Sequence, residues 1–489
     1  MNEHLDRLAP QPLWRHFRTL CETPRPSGQE AALAARLEAW AEARGLAHER
    51  DAFGNLLIRK PATPGFEFAP GVIFQGHLDM VPQANSGHPH DFTRDPIETR
   101  LGDDGWLRAS GTTLGADNGL GVAAALAILE ADDLAHGPLE ALFTLEEETG
   151  MGGALNLAEG WLTGHYLLNL DSEDHGEVFI GCAGGTDVVV EAQLPTAPLA
   201  DDEVALTLSL TGLRGGHSGI DIHKGLGNAN RLLVRALRAL ERLDARLASY
   251  EGGSLRNALP REAFAVLALP EEEREAAVAE VEALEATLRD ELAGVDDALR
   301  LTLEDAGSTT EAPLTAQASH LLLAALHAAP CGVERMSQEV PGVVETSNNL
   351  GVVSLDQGRF RLAALVRSLR DSATRDLADR LRALFELIGA RVRIENGYPG
   401  WTPQPDSELL SCFRRVHREH LGSDPAVKVI HAGLECGILG GKYPALEMIS
   451  FGPTIRGAHS PDERVDVASV AAFWTLLCAL VEELACPAT

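Results

Sequence analysis

Apolar positions along the chain fall into short continuous runs separated by longer stretches of helical length. Gly71 to Gly76, Leu139 to Leu145 and Tyr166 to Leu170 are mostly apolar, the pattern of strands covered on both faces. Gly119 to Asp132 supplies a crossover helix, and this alternation predicts an α/β layer. Nearer the start, Ser27 with Glu30 three residues on predicts a capping box, opening a helix that ends near Gly45. Each of the three strands runs directly into acidic or His-bearing residues: His77 and Asp79, then Glu147 and Glu148, then Asp171. In open α/β sheets, ligands bind beyond those strand ends.

After Gly185 the texture changes. A strand over Glu203 to Leu210, a Gly-rich turn, a helix from about Gly227 to Leu243, a strand over Ala263 to Leu269 and an acidic helix over Glu271 to Leu292 predict a second, α+β domain. A similar order recurs from Leu314 to Leu387, with Arg256-Asn257-Ala258 loosely matched by Ser347-Asn348-Asn349, a weak internal repeat. From about Glu395 the chain returns to motif-rich loops. A discontinuous catalytic domain, residues 1–186 and 396–489, interrupted by an inserted domain, residues 187–395, is the economical reading. The longest apolar run, Val467 to Val481, falls short of the ~20 residues a bilayer demands and reads as a buried helix.

Composition narrows the function. The 489 residues exceed what one core organises, so more than one domain is expected. Lys+Arg 41 against Asp+Glu 72 gives a net charge of −31, which argues against nucleic acid and against an anionic membrane surface as partners. Met1 to Arg15 lacks the apolar segment of a secretory signal. The seven cysteines include no Cys-x-x-Cys pair, so neither a disulfide framework nor a zinc finger is expected, and a cytoplasmic setting fits.

Taken singly, the acidic motifs have ordinary structural readings. His77 and Asp79 share one face of an extended segment; Asp117, in Gly111 to Gly119, reads as a helix N-cap; Glu146-Glu147-Glu148 reads as an acidic cap. No Gly-Lys-Ser/Thr or G-x-G-x-x-G is present, so nucleotide binding ranks low. Jointly, His77, Asp117, Glu148, Asp171 and His459 form a set of two imidazoles and three carboxylates. That is what a pair of Zn²⁺ ions requires, with one carboxylate bridging ions ~3.5–4 Å apart and a shared water between them. Adjacent Glu147 and Glu148 then divide the work, one on metal and one free to take a proton.

Gly76-His77-Leu78-Asp79-Met80-Val81-Pro82, Gly111 to Gly121, Glu147-Glu148-Thr149-Gly150-Met151, Asp171-Ser172-Glu173, Gly181 to Gly185, His431 to Gly437 and Ser460-Pro461-Asp462-Glu463 together resemble the bacterial aminoacyl-histidine (Xaa-His) dipeptidases, a branch of the co-catalytic zinc metallopeptidases. The resemblance runs nearly end to end. It implies a catalytic domain with a mixed sheet flanked by helices plus an inserted α+β lid domain, and hydrolysis of dipeptides, Xaa-His ones foremost, by a metal-bridged water. It also implies two divalent ions, Zn²⁺ with Mn²⁺ or Co²⁺ as alternatives, and a homodimer.

Residue by residue, the resemblance implies that His77, Asp117 and Asp171 hold one ion and Asp117, Glu148 and His459 the other, with Asp117 as the bridge. Glu147 is then the general base and Asp79 steadies His77. A cis peptide is expected after the bridging acid, at Asp117-Asn118. His217, in Gly215-Gly216-His217-Ser218-Gly219, is expected to stabilise the tetrahedral oxyanion. Asn257 and Arg367 are expected at the terminal carboxylate of the dipeptide, and Glu435 at its amino group or bracing the metal shell. Competing readings are an N-acyl amino acid deacylase or a tripeptidase on the same scaffold, and a metal-binding protein without turnover.

Overall fold

A computed structural model of the chain describes residues 2–307 and 312–486. They form two compact units: Met1–Gly181 with Pro403–Val429 and Leu434–Thr489, and Cys182–Thr402 with Ile430–Gly433.

The first unit is built on an eight-stranded sheet in the order Ala47–Arg50, Leu56–Lys60, Leu139–Thr144, Val72–His77, Tyr166–Asn169, Glu447–Ser450, Glu177–Cys182, Ala426–Ile430. Its central strands are parallel: Val72 lies opposite both Leu139 and Tyr166, and Glu447 lies opposite Tyr166. The flanking pairs are antiparallel, so the sheet is mixed. Every residue of Val72–His77, Leu139–Thr144 and Tyr166–Asn169 is buried, which accounts for their continuous apolar runs. Because the three strands are parallel and in register, the chain leaves all of them at one edge. That edge receives Asp79, Glu147, Glu148 and Asp171.

Helix Ala116–Glu130 is apolar all round and packs against both helix Gln11–Cys21 and strand Val72–His77. Phe17, Phe74, Phe143, Phe413, Phe451 and Phe473 share the core beneath it. Helix Val467–Ala485 is the one helix among the described residues long and apolar enough to cross a bilayer. Here it lies on helix Glu408–Leu421 and buries Phe473, Leu477 and Leu480 in that core. A small four-stranded sheet, Ile455–Arg456, Arg464–Asp466, Trp106–Ala109 and Thr99–Leu101, carries the turn that bears His459 and Glu463.

In the second unit an antiparallel nine-stranded sheet is covered by helices, among them Ala229–Leu240, Ala316–Ala328 and Asp371–Glu386. Leu206, Leu208, Leu210, Tyr250, Phe360 and Phe385 form its separate core. The expected strand after Gly185 is Glu203–Thr211. The expected helix over 227–243 opens at Ala229 because the Asn228 side chain caps it, accepting from Arg231 N–H at 3.1 Å. A two-stranded ribbon pairs Gly216–His217 with Ala258–Leu259.

One local expectation is corrected. The helix Ala31–Ala43 does end before Gly45, which has φ 68°, but no Ser27 capping box opens it. Ser27 Oγ instead donates to Asp79 Oδ2 at 2.8 Å, while Glu30 accepts from Gly28 N–H at 2.9 Å and Glu146 N–H at 3.2 Å. Tertiary contacts with the sheet edge have recruited both side chains.

Candidate metal centre

At the sheet edge, His77 ends its strand with its ring 1% exposed, and Nε2 lies 3.1 Å from Asp117 Oδ1 and 3.4 Å from Asp171 Oδ1. His459 Nε2 lies 3.1 Å from Asp117 Oδ2 and 3.0 Å from Glu148 Oε2. The two oxygens of Asp117 therefore face different imidazoles. Ligand atoms of His77, Asp117 and Asp171 all lie within 4.8 Å of one another, as do those of Asp117, Glu148 and His459, and those of His77, Glu147 and Glu148. Glu148 Oε1 is buried without a hydrogen-bond partner, and Asp171 Oδ1 has only the long contact to His77 Nε2. Orphaned carboxylate oxygens are costly unless a cation meets them, so this donor set of imidazoles and carboxylates fits a pair of divalent ions.

Asp79 holds this arrangement from behind. Its carboxylate lies 3.3 Å from His77 Nδ1 and accepts from Ser27 Oγ at 2.8 Å and from Glu147 and Glu148 N–H at 3.0 and 3.2 Å. Burial alone would raise its pKa, but the His77 hydrogen bond and charge outweigh it and hold the group at about 2. His77 Nδ1 thus faces Asp79, 3.2 Å from its backbone carbonyl and 3.3 Å from its carboxylate, which leaves Nε2 for a ligand.

The protonation states reflect crowding. Burial lowers the His77 pKa, yet Asp171 and Asp117 drive it well above the ordinary value. Hydrogen bonds to Asp117 and Glu148 push His459 to about 11. Asp117 is held well below the usual carboxylate range, its bonds to His459 and His77 outweighing burial. Burial pushes Asp171 up to about 7 and Glu147 well above its ordinary value, in each case against the His77 charge. Burial also raises Glu435 to about 7; its Oε2 accepts from Gln75 Nε2 at 2.6 Å and Thr144 Oγ1 at 2.7 Å, and its Oε1 is buried without a partner.

The second unit brings its own candidates together. The ribbon sets His217 opposite Ala258, next to Asn257, whose carbonyl accepts from Ser218 N–H at 2.9 Å. Arg367 is buried on strand Arg359–Ser368; its Nη1 donates to Tyr398 OH at 2.9 Å and its Nε lies 3.4 Å from Ser218 Oγ. Burial, then the Arg367 charge, lower the pKa of His217, keeping the imidazole neutral near pH 7.

Several residues at these sites were not singled out from sequence. Buried Arg25 donates to the carbonyls of Leu78, Asp79 and Gly115. Glu463, expected only as part of a motif, accepts backbone N–H groups ahead of Asp117. Asp117 (φ −81°, ψ 115°) and Asn118 (φ −100°, ψ 29°) are non-helical and kink the start of helix Ala116–Glu130, and the N–H groups of residues 114–117 are accepted by Glu463. Burial raises Glu173 to about 8 beside Asp117. His431 in the second unit is buried, with Nε2 2.7 Å from Ser347 Oγ. The Asp117-Asn118 peptide is cis.

A mixed sheet with this acidic edge, joined to an inserted antiparallel domain, is the architecture of a metallopeptidase. The chain belongs to peptidase family M20/M25/M40, whose sequence pattern matches residues 73–483. It is 45% identical over 481 residues to the cytosol non-specific dipeptidase of Escherichia coli (strain K12), a match covering 98% of this chain and 99% of that protein. The crystal structure of aminoacylhistidine dipeptidase from Vibrio alginolyticus superposes with a TM-score of 0.92 at 44% identity, covering 98% of this chain and 97% of that one. A tripeptidase from Staphylococcus aureus shares the fold, with a TM-score of 0.56 at 16% identity over 98% of this chain and 99% of that one.

Proposed function

We propose that this hydrolase is a cytoplasmic dinuclear metallo-dipeptidase that cleaves dipeptides, Xaa-His dipeptides among them. The observation that carries the reading is Asp117: each of its oxygens faces a different imidazole, His77 at 3.1 Å and His459 at 3.1 Å, with Asp171 and Glu148 completing the two clusters. One ion is assigned to His77, Asp117 and Asp171, the other to Asp117, Glu148 and His459. Imidazole and carboxylate donors support Zn²⁺, with Mn²⁺ and Co²⁺ as alternatives set by supply. Bound there, the two cations supply Lewis-acid polarisation of the scissile carbonyl and acidify water.

The remaining chemistry belongs to the chain. Glu147 takes the proton of the attacking water and hands it to the leaving amine. Asp79 fixes the His77 ring. Glu435, with Oε1 lacking a partner, takes the free amino group of the substrate. In the second unit, Arg367 and Asn257 take its terminal carboxylate, and neutral His217 donates to the oxyanion. The names of the Escherichia coli and Vibrio alginolyticus relatives support dipeptides as the substrate class, and that of the Escherichia coli protein supports a cytosolic site; a homodimer is what the resemblance implies.

The test is a metal-replete assay on β-alanyl-histidine, other Xaa-His and non-His dipeptides, tripeptides and N-acyl amino acids, repeated after exhaustive chelation. Dipeptide hydrolysis that chelation abolishes is expected. Preference for N-acyl amino acids or tripeptides would contradict the substrate class, and chelator-resistant turnover the mechanism.

A further inference from the structure

Two buried ions with no assigned part in the chemistry grip the backbone just ahead of Asp117. Glu463 is 2% exposed and accepts four successive N–H groups, from Leu114 at 2.7 Å, Gly115 at 2.9 Å, Ala116 at 2.8 Å and Asp117 at 3.3 Å. Arg25, also 2% exposed, donates from Nη1 to the carbonyls of Leu78 and Asp79, both at 2.9 Å, and from Nη2 to the carbonyl of Gly115 at 2.6 Å. The Gly115 residue is thus held through its N–H by an anion and through its carbonyl by a cation. Gly115 has φ 70°, and a Cβ there would lie 2.6 Å from Arg25 Nη2, so the clamp closes only on glycine.

The connectivity is what matters. Glu463 lies four residues after His459 on the same turn, so it ties the segment bearing His459 to the one bearing Asp117. Arg25 ties the segment bearing His77 and Asp79 to that same stretch. Charge-assisted bonds are the strong ones, and these are shielded from water.

We propose that Arg25 and Glu463 are positioning residues that fix Asp117 so that its two oxygens meet both cations at once, and that they thereby set the affinity for the second ion. The proposal rests on the dinuclear reading above. A carboxylate shared by two ions tolerates little displacement, and loss of supporting partners around a metal site costs roughly 10–100-fold in affinity.

The experiment is titration of the full-length metal-free protein with Mn²⁺, followed by electron paramagnetic resonance and calorimetry, in wild type, Glu463→Gln, Arg25→Lys and the double variant. Glu463→Gln keeps the shape but turns an NH₂ toward backbone donors. Expected are two ions and an exchange-coupled spectrum in wild type, and in each single variant a second ion bound roughly 10–100-fold more weakly with the coupled signal lost. Since both act through Gly115, the double variant should lose less than the product of the single losses. Wild-type affinity and coupling in the variants, with or without a lower melting temperature, would overturn the proposal. A variant that fails to fold would equally reassign its residue to the fold. Fewer than two ions in wild type would instead defeat the dinuclear reading, and the proposal with it.

Discussion

Replacing Asp79 by Asn removes one atom's charge from the centre of the site without changing its shape. Asp79 is fully buried, and its carboxylate meets Ser27 Oγ, Glu147 N–H, Glu148 N–H and His77 Nδ1 at 2.8 to 3.3 Å. The Asn amide must turn its NH₂ toward either Glu147 and His77 or Ser27 and Glu148. The Ser27 hydroxyl can reverse, but one backbone N–H then loses its acceptor, at about 1–3 kcal/mol. The depressed pKa reflects the same surroundings. The His77 and Ser27 contacts, outweighing burial, hold Asp79 at about 2 against an ordinary 3.8; that difference is worth about 2 kcal/mol. Both figures describe the same contacts and are not summed. Because the folded pKa is depressed, this stabilisation is fully present above about pH 4 and is lost as pH falls toward 2. Deprived of its anionic partner, His77 becomes a poorer ligand, and Zn²⁺ affinity should fall roughly 10–100-fold. Thermal unfolding of the metal-free protein and competition for Zn²⁺ against a chromophoric chelator read the two effects. An Asp79→Asn protein with wild-type melting and wild-type Zn²⁺ affinity would refute the reasoning.

Other outcomes follow from the same geometry. Glu147→Gln should keep both ions while kcat drops roughly 10²–10⁴-fold; steady-state kinetics alongside metal analysis checks this, and near-normal turnover removes Glu147 from its role. Arg367→Lys retains the charge but cannot serve Ser218, Tyr398 and a substrate carboxylate together, so KM for dipeptides should rise roughly 10–100-fold with kcat changed far less. In the metal-free protein His77 and His459, raised by their carboxylate partners, and Asp171, raised by burial to about 7, hold protons near pH 7. Cations must displace those protons, so metal binding should release protons at pH 7 and weaken as pH falls. Calorimetry in buffers of different ionisation enthalpy measures the release, and none would contradict the assignment.

The sheet edge was legible because parallel strands buried on both faces announce themselves as apolar runs, and the chemistry begins where each run stops, at His77, Glu147 and Asp171. The joint pattern of five acids and imidazoles at strand ends, one helix entry and the tail pointed to a two-ion set, and the family resemblance then gave each residue its role. What sequence concealed are contacts to backbone. Arg25 and Glu463 act on carbonyl and N–H groups of Gly115, 90 and 348 residues away, and such contacts leave no paired side-chain signal. The same reason explains the misread local motifs. Ser27 and Glu30 fit a capping box by spacing, but distant partners at Asp79 and Glu146 decided their actual contacts, and the Asp117 carboxylate faces His77 and His459. Arg367, on a strand, carried no sign that it would be buried beside Tyr398 and Ser218.

Anomalous diffraction at the zinc edge from crystals of the Zn²⁺-loaded protein tests the central claim most directly. Two peaks ~3.5–4 Å apart are predicted, with one Asp117 oxygen on each, His77 and Asp171 on one ion and His459 and Glu148 on the other. A single peak, or two that do not share Asp117, would contradict it.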